Sequence, residues 1–592
     1  MKSINELPEK VRDELEKNPE GAWHWFSEQH YAQQISQNRN HLLVKIRQNF
    51  EVSKLVSACA GYRLYAGKRG QEASYGLALL VWALLLKHLM GWSYRTTCCE
   101  IHSHSLYRWF VGHRLDEVVF SYVTLQRFAV YVETQCPRAY FDEILNQIDK
   151  AYAQDAQAAQ VGDSFALLSR ATEQSRTVLL RTSCRRLLGY LKQVEPGLYA
   201  EVGRLLNQEQ LFGRANERAE FLLDKCERDA CELRTALAAD HCLVLVWSRV
   251  AHLPQRRSVE FLALQRWLGI LDKALYDEYR FAAGEEADSL TVRFCSEKER
   301  GKFVMGSSND PEASFRKHGE KTQLGFNVQV AATKRFIREI FAQTGATSDG
   351  SGVVPLLAHQ LEARGTVPPK LIYDRAAGSP KTFHEVAQAS HGKTQLVARL
   401  IDHTKNSERF GPLDFTLNAD GSLTCPNGQS TTTYSRSKAA DGFEYRFPAQ
   451  SCAGCPLRQP CRGERPPATD NDPPQLSAQT APATPSPKPK RKTPKPDSCR
   501  QVFISAYREQ QCQATLYAKT EEFTQDMRFR AAIERIIAAL VRYHQARRAH
   551  SYGTCKADFQ VKMAATAFNL KKWYKLTLAK EKALHDQPPD SS

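Results

Sequence analysis

Three carboxylates and four cysteines are the groups in this 592-residue chain whose type and setting suit chemistry. Asp374 closes the short apolar run Lys370-Leu371-Ile372-Tyr373 and is followed by the turn Ala376-Ala377-Gly378-Ser379-Pro380. A carboxylate at the carboxyl end of a strand, beside a Gly-containing turn, is where open α/β sheets put ligand-binding groups. Such an aspartate is as often a helix cap or a turn former. Asp163 lies near the centre of the strand-like run Ala158–Ser169, AAQVGDSFALLS. Glu534 lies in the helical run Arg528–Arg542, where Ile533, Ile536, Ile537, Leu540 and Val541 make an apolar stripe. At about 100° per residue, Glu534 shares a strip with Arg530, Ile537 and Val541, which turns it towards the packed side. An unpaired carboxylate there is costly, so a metal or Arg530 has to supply a cation. The plain alternative is an Arg530–Glu534 pair on the helix, worth about 0.2–0.5 kcal/mol.

The cysteines are Cys425, the pair Cys452-x-x-Cys455, and Cys461, in a stretch with little regular pattern. A C-x2-C pair with one further cysteine on either side can form a tetrahedral zinc site of four thiolates. Structural zinc would add folding energy to a segment with little core of its own. Reduced, unligated thiols are the alternative.

The elements that must position these groups can be read in chain order. Residues 1–150 read as a helical N-terminal domain for DNA binding or dimerisation. Gly91 and Gly112 punctuate short helices, Trp92-Ser93-Tyr94-Arg95 opens one, and Leu115-Asp116 caps the next. Arg95, Arg108, His113, Arg114 and Arg127 are expected to be exposed, which suits DNA contact of the helix-turn-helix kind; a plain packing module fits the spacing equally. Residues 151–172 hold the first strand, and 173–285 read as a helical insertion. Residues 286–401 carry strand Leu290–Phe294 and a hairpin of Leu324–Ala331 with Phe336–Gln343. The helix Val353–Ala363, the Asp374 strand and the strand Gln395–Ile401 follow. Residues 402–464 form a Cys-containing insertion, 465–498 a Pro- and Lys-rich linker expected to be disordered, and 499–580 the C-terminal helices. Residues 581–592 read as a disordered tail.

The formal charge of +16 points to a polyanionic partner, nucleic acid ahead of a membrane surface. Met1–Leu15 is charged and lacks an apolar core, so no signal peptide is expected. The most apolar run, Tyr75–Leu86, is too short to span a bilayer and reads as a buried helix. Sixteen scattered cysteines do not suit a secreted disulfide framework, and a reducing cytoplasm is expected.

Strand with Asp, hairpin, helix, strand with Asp, helix, strand and a late helix with Glu is the order of the RNase H-like fold. The fold class expected is therefore α+β or α/β: a helical N-terminal domain plus an RNase H-like mixed-sheet core carrying a helical and a Cys-containing insertion. Most of the chain resembles the DDE transposases of bacterial insertion sequences. The resemblance is carried by GWSYRTTCCEIHSHSLYRWFVG, VGDSFALLSRATEQSRTVLLRTSCRRLL, DPEASFRKHGEKTQLGFNVQVA with TGATSDGSGVVPLL, and LIYDRAAGSPKTF. Its most specific part is RAAIERIIAALVRYHQARRAHSYGTCKADFQVKMAATAFNLKKW. The resemblance implies that Asp163, Asp374 and Glu534 are the catalytic acids, binding two Mg²⁺ or Mn²⁺ ions as three hard oxygen donors suit. It implies Asp349 as a supporting acid and Arg530 as a match to the family's arginine four residues before the glutamate. The family's tyrosine before that arginine falls on Met527 here, and its later lysine on Val541. Lys317, His318, Lys321, Arg542, His544, Arg547, Arg548, His550, Lys556, Lys562, Lys571 and Lys572 would give a basic, DNA-binding surface. The implied partner is double-stranded DNA, as terminal inverted repeats and target, with a homodimer in the synaptic complex and no membrane, at the nucleoid in a bacterial cytoplasm. A catalytically inactive DNA-binding regulator, and a metal-dependent nuclease without strand transfer, remain open as alternatives.

Overall fold

The computed structural model describes residues 12–13, 17–62, 75–214, 216–254, 258–283, 290–301, 303–318, 321–401, 409–437, 441–462 and 500–585. The 465–498 linker and residues 586–592 of the expected tail lie outside the described residues. The chain divides into two compact units, Met1–Pro369 with Ala531–Ser592, and Lys370–Arg530.

In the first unit, the helix Leu77–Met90 is apolar on nearly every side, and Leu80–Leu86 are buried accordingly. It stops at Gly91, whose φ of 72° is the left-handed cap that glycine adopts without penalty. Ser93 caps Tyr94–Ser103 by accepting from Thr96 N at 3.0 Å, and Ser105–Val111 ends at Gly112. The following helix differs from expectation. It runs Tyr122–Gln135 and is capped by Ser121, not by Leu115-Asp116. The Glu117 carboxylate instead accepts from Arg114 N at 2.9 Å and holds residues 114–117 in a turn. Arg108 and His113 are buried rather than exposed. Arg108 donates to the His102 and Glu117 carbonyls, and His113 packs against Phe120 and Tyr75. Arg95 and Arg127 are exposed and Arg114 is half-buried. No single helix among the described residues is long and apolar enough to cross a membrane.

β1 (Gln160–Leu168) is followed by helices Arg176–Val194, Pro196–Leu205, Lys225–Val250 and Val259–Tyr276, which share a core of their own. A short hairpin, β2 (Tyr279–Ala283) with β3 (Leu290–Phe294), closes this insertion. β4 (Ser314–His318), which the sequence reading missed, and β5 (Lys321–Ala332) are antiparallel, and β5 continues antiparallel to β6 (Ile337–Thr344). Along its other edge β5 pairs antiparallel with β1, placing Asp163 opposite Val330. At Gly325, where β5 passes from β4 to β6, a Cβ would lie 2.3 Å from Leu167 O. Only glycine allows that approach.

Helix Val353–Arg364 follows. Its Gln360 exchanges amide hydrogen bonds of 2.9 and 3.0 Å with Gln160. The last helix, Thr554–His585, packs on β6, on Leu77–Met90 and on Ala139–Ala151. Asn569 brackets Ile337, accepting from its N at 2.8 Å and donating to its O at 2.9 Å. The helix reaches His585, so the expected tail begins as ordered helix, with Glu581 paired to Lys45 at 2.7 Å.

In the second unit β7 (Lys370–Ile372) and β8 (Gln395–Val397) are parallel, making strand pairing mixed across the protein. β8 is shorter than the expected Gln395–Ile401. The described residues of 409–437, 441–447 and 500–505 are not irregular, contrary to the sequence reading. They form β9 (Thr416–Leu417), β10 (Leu423–Thr424) and β11 (Ser430–Thr431) as one sheet. A second sheet joins β12 (Tyr434–Arg436), β13 (Gly442–Phe447) and β14 (Arg500–Ser505). Phe415, Leu423, Tyr445, Phe447, Val502 and Ile504 form their common core. Helices Arg508–Tyr517 and Glu521–Arg530 follow. Lys370 Nζ donates to Tyr517 OH at 2.9 Å and pairs with Asp526 at 3.0 Å and with Glu522, tying the last helix to β7.

Candidate active site

Asp163 is half-buried on β1, and its Oδ1 accepts from the neighbouring Ser164 N at 2.7 Å. Alternation puts it on the strand face of Val161, Phe165 and Leu167, with Ser164 on the other. On that second face Arg316 joins three elements. It donates to Ser164 Oγ at 3.0 Å, to Asn327 Oδ1 at 2.9 Å and to Asp349 Oδ1 at 2.9 Å. Asn327 adds a 3.0 Å bond to Asp349. Asp349 therefore reaches β1 through Arg316 and Ser164, behind Asp163. Sequence reasoning passed over Arg316, although it lies in the alternating stretch ASFRKHG.

Glu534 belongs to the helix Ala532–Tyr543, which packs against β1. Here the sequence expectation is corrected twice. The expected single helix is broken at Ala531, between Glu521–Arg530 and Ala532–Tyr543. The buried stripe is Ile533, Ile536 and Leu540, so Ile537 and Val541 lie half-buried on its flank and Glu534 is exposed. A carboxylate one position past Ile533 is turned about 100° from the buried face. It carries no burial cost.

The end of β1 is tied to the segment after that helix. Leu168 N donates to Arg547 O at 3.0 Å and Ala549 N to Leu168 O at 2.8 Å, a parallel bridge centred on Arg548. Arg170 donates to His550 O at 2.8 Å. The fully buried Asp310 accepts from Ser169 Oγ at 2.6 Å and from Gly553 N at 2.9 Å. Burial pushes its carboxyl above the usual range, against those two bonds. Nothing local in the DPEASF stretch signals this role of Asp310, because its partners lie 141 and 243 residues away.

Of the expected basic surface, Lys317, Lys321, Arg542, Arg547, Arg548 and Lys556 are exposed, Lys571 and Lys572 are half-buried, and the His318 side chain lies outside the described residues. Arg530 is half-buried. Two members are corrected. Lys562 is buried against Asp558, and His544 is held neutral down to about pH 4, by burial first and then by Lys571.

In the second unit Asp374 is half-buried and caps the 3₁₀ turn Arg375–Ala377, accepting from Ala376 N at 3.0 Å. The capping alternative is thus realised. The turn is closed by Gly378, whose added Cβ would lie 1.9 Å from Arg399 O, and whose carbonyl accepts from Ile401 N at 2.9 Å.

Cys425, Cys452 and Cys461 pack on the core of the small sheets. Cys425 starts the turn between β10 and β11, accepting from Gly428 N at 2.8 Å. Burial pushes the Cys461 thiol up, and Cys452, Cys425 and Cys455 push the same way against Arg500.

Carboxylates are the right donors for Mg²⁺ or Mn²⁺, and thiols for Zn²⁺. Among the described residues no three His, Cys, Asp or Glu side chains are gathered as a metal-holding group. The fit is one of donor chemistry, not of assembled ligands.

Residues 424–574 match the family model described as Transposase DDE domain, and residues 30–130 the one described as Transposase domain (DUF772). These two matches indicate a DDE-type transposase of an insertion sequence. The DDE-domain match takes in Glu534 and all four cysteines, and leaves Asp163 and Asp374 outside. Comparison with curated proteins and with solved structures found no match.

Proposed function

We propose that this transposase binds the terminal inverted repeats of its own insertion sequence, cuts there by metal-dependent hydrolysis, and joins the freed 3′-OH ends to target DNA. The observation that carries the reading is a meeting on one strand. β1 bears Asp163, the Glu534 helix packs against it, and the Arg547–Arg548 segment is bonded to its end. Asp163 and Glu534 would be metal ligands, joined by Asp374 on the strength of its strand-end motif. A divalent pair held there would activate water and stabilise the leaving oxygen of an in-line phosphoryl transfer.

The chain's own residues do the rest. Ser164 N fixes the Asp163 carboxylate, while Arg316 and Asp349 brace the strand behind it. The backbones of Arg547 and Ala549 are committed to β1, which leaves the exposed Arg547 and Arg548 guanidinium groups to meet DNA phosphates. Lys321, Arg542 and Lys556 extend that contact, and Arg530 joins it by its family position. Pairing two DNA ends calls for a homodimer in the synaptic complex, and the setting is the bacterial cytoplasm, at the nucleoid. Cys425, Cys452, Cys455 and Cys461 would hold one structural Zn²⁺. Metal analysis of the purified protein should find one equivalent, lost in Cys452→Ser/Cys455→Ser; an unchanged content would exclude those thiols.

The deciding experiment is Mg²⁺- or Mn²⁺-dependent cleavage of a plasmid carrying the element ends, wild type beside Glu534→Gln and Asp374→Asn. Cuts at the ends that disappear in both variants, with DNA binding retained, are the expected result. Cleavage that persists in a variant removes that residue from the ligand set. Binding without cutting in the wild type would point to the regulator.

A further inference from the structure

The N-terminal helical region contains a thiol pair that DNA chemistry does not use. The Sγ atoms of Cys59 and Cys136 lie 3.8 Å apart and share a hydrogen bond, across 77 residues of sequence. Each caps the end of a helix, Cys59 that of Ser53–Ala58 and Cys136 that of Tyr122–Gln135. The residues after Cys59 are laid along the second helix. Tyr62 stacks edge-on to Phe128 and against Tyr131, each at 5.2 Å, and a Cβ at Gly61 would meet Tyr131 OH at 2.6 Å. The two sulfurs are therefore held together by packing on both sides. Cys59 is fully buried, whereas Cys136 is half-buried and reaches solvent.

We infer that Cys59 and Cys136 form a peroxide-oxidisable dithiol, in which Cys136 is the attacked sulfur and Cys59 the resolving one. The Cys136 thiolate attacks a hydroperoxide, breaking the O–O bond, forming S–O and releasing water or an alcohol once the departing oxygen is protonated. The Cys59 sulfur then attacks Cys136 Sγ. The S–S bond forms, the S–O bond breaks, and hydroxide leaves with the Cys59 proton as water. Two thiols give up two electrons and the peroxide takes them. The hydrogen bond from Cys59 brings the Cys136 thiol below its ordinary range, and the same bond with burial raises Cys59, which suits these roles. A second hydrogen-bonded pair, Cys184 with Cys242 in the helical insertion, is fully buried on both sides and serves as an internal control.

The test is hydrogen peroxide treatment of the full chain, alkylation of remaining thiols, and peptide mass spectrometry without reduction. Expected is a Cys59–Cys136 cross-linked peptide lighter by two hydrogens, with both residues lost from alkylation, while Cys184 and Cys242 stay in their thiol form. In Cys59→Ser a sulfenic-acid probe should trap Cys136, which it does not in the wild type. Circular dichroism of Cys59→Ser and Cys136→Ser, compared with wild type, checks that each variant folds. The inference is overturned if Cys59 and Cys136 stay alkylatable while the exposed Cys99, Cys226 or Cys555 oxidise, or if Cys136 links only between chains.

Discussion

Glu339 shows what a single buried charge contributes. It has no solvent exposure on β6, and Arg138 grips it with bonds of 3.1 and 2.8 Å while Arg364 adds one of 3.4 Å. Asp142 faces both arginines, at 3.0 and 3.2 Å. Removing one partner of a buried pair strands the other charge. Glu339→Gln should therefore cost about 3 kcal/mol, the low end of the usual ~3–5, because Asp142 remains. Burial alone would raise the Glu339 carboxyl, but Arg138, Arg364 and Lys562 outweigh it and hold it below the ordinary range. Its contribution is then complete above the unfolded value, about pH 4.3, and is lost as pH falls through the lower native one. Urea midpoints from pH 7 to 3 should fall more shallowly in Glu339→Gln than in wild type. None of this pairing was legible in the sequence, which read FIREIFAQ correctly as a strand. Its partner Arg138 lies 201 residues away, and no local period reports that. The exposed side of Glu534 is illegible in the sequence for a related reason: five apolar residues within nine positions do not say which three are buried.

At the scale of elements, the turn after β7 is the most constrained piece near a candidate acid. Backbone cannot yield as a side chain can, so a methyl group 1.9 Å from Arg399 O must push the 399–401 segment away and break its bond to Gly378. Gly378→Ala should cost at least about 1–3 kcal/mol. It should also reduce DNA cleavage, because Asp374 caps that same turn. Gly454→Ala, with nothing within 4 Å of its added Cβ, is the matched control and should change neither quantity. Denaturation curves and cleavage assays on the two variants check both parts. Several of the longer elements were readable, because several periods of alternation or helical spacing fit inside them. Leu77–Met90, β5, β6 and Val353–Arg364 all fall where expected. The strands β9–β12 run two or three residues each and contain no period to read. Their sheets are held by Phe415, Tyr445, Phe447 and Ile504, which come together only in three dimensions.

For the whole molecule, the first unit is built from two stretches of chain that the second unit interrupts. Its last helix is a structural member, not an appendage. Trp573 stacks on Phe50 at 4.7 Å, Tyr574 OH donates to Asn40 O at 2.6 Å, and Asn569 satisfies both backbone groups of Ile337. A chain ending at residue 553 would uncover β6 and the faces of Leu42–Asn49, Leu77–Met90 and Ala139–Ala151. It should lose the cooperative transition and become sensitive to protease throughout the helical N-terminal region, which limited proteolysis beside the full chain would show. Biosynthesis meets the same requirement in time. β6 ends at Thr344 and the helix that covers it begins at Thr554, so at 5–20 residues per second the nascent sheet waits roughly 10–40 s for its cover. A ribosome that halts in that interval releases a polypeptide whose first unit cannot close. Completion of the message is thereby built into the fold as a condition for a working enzyme.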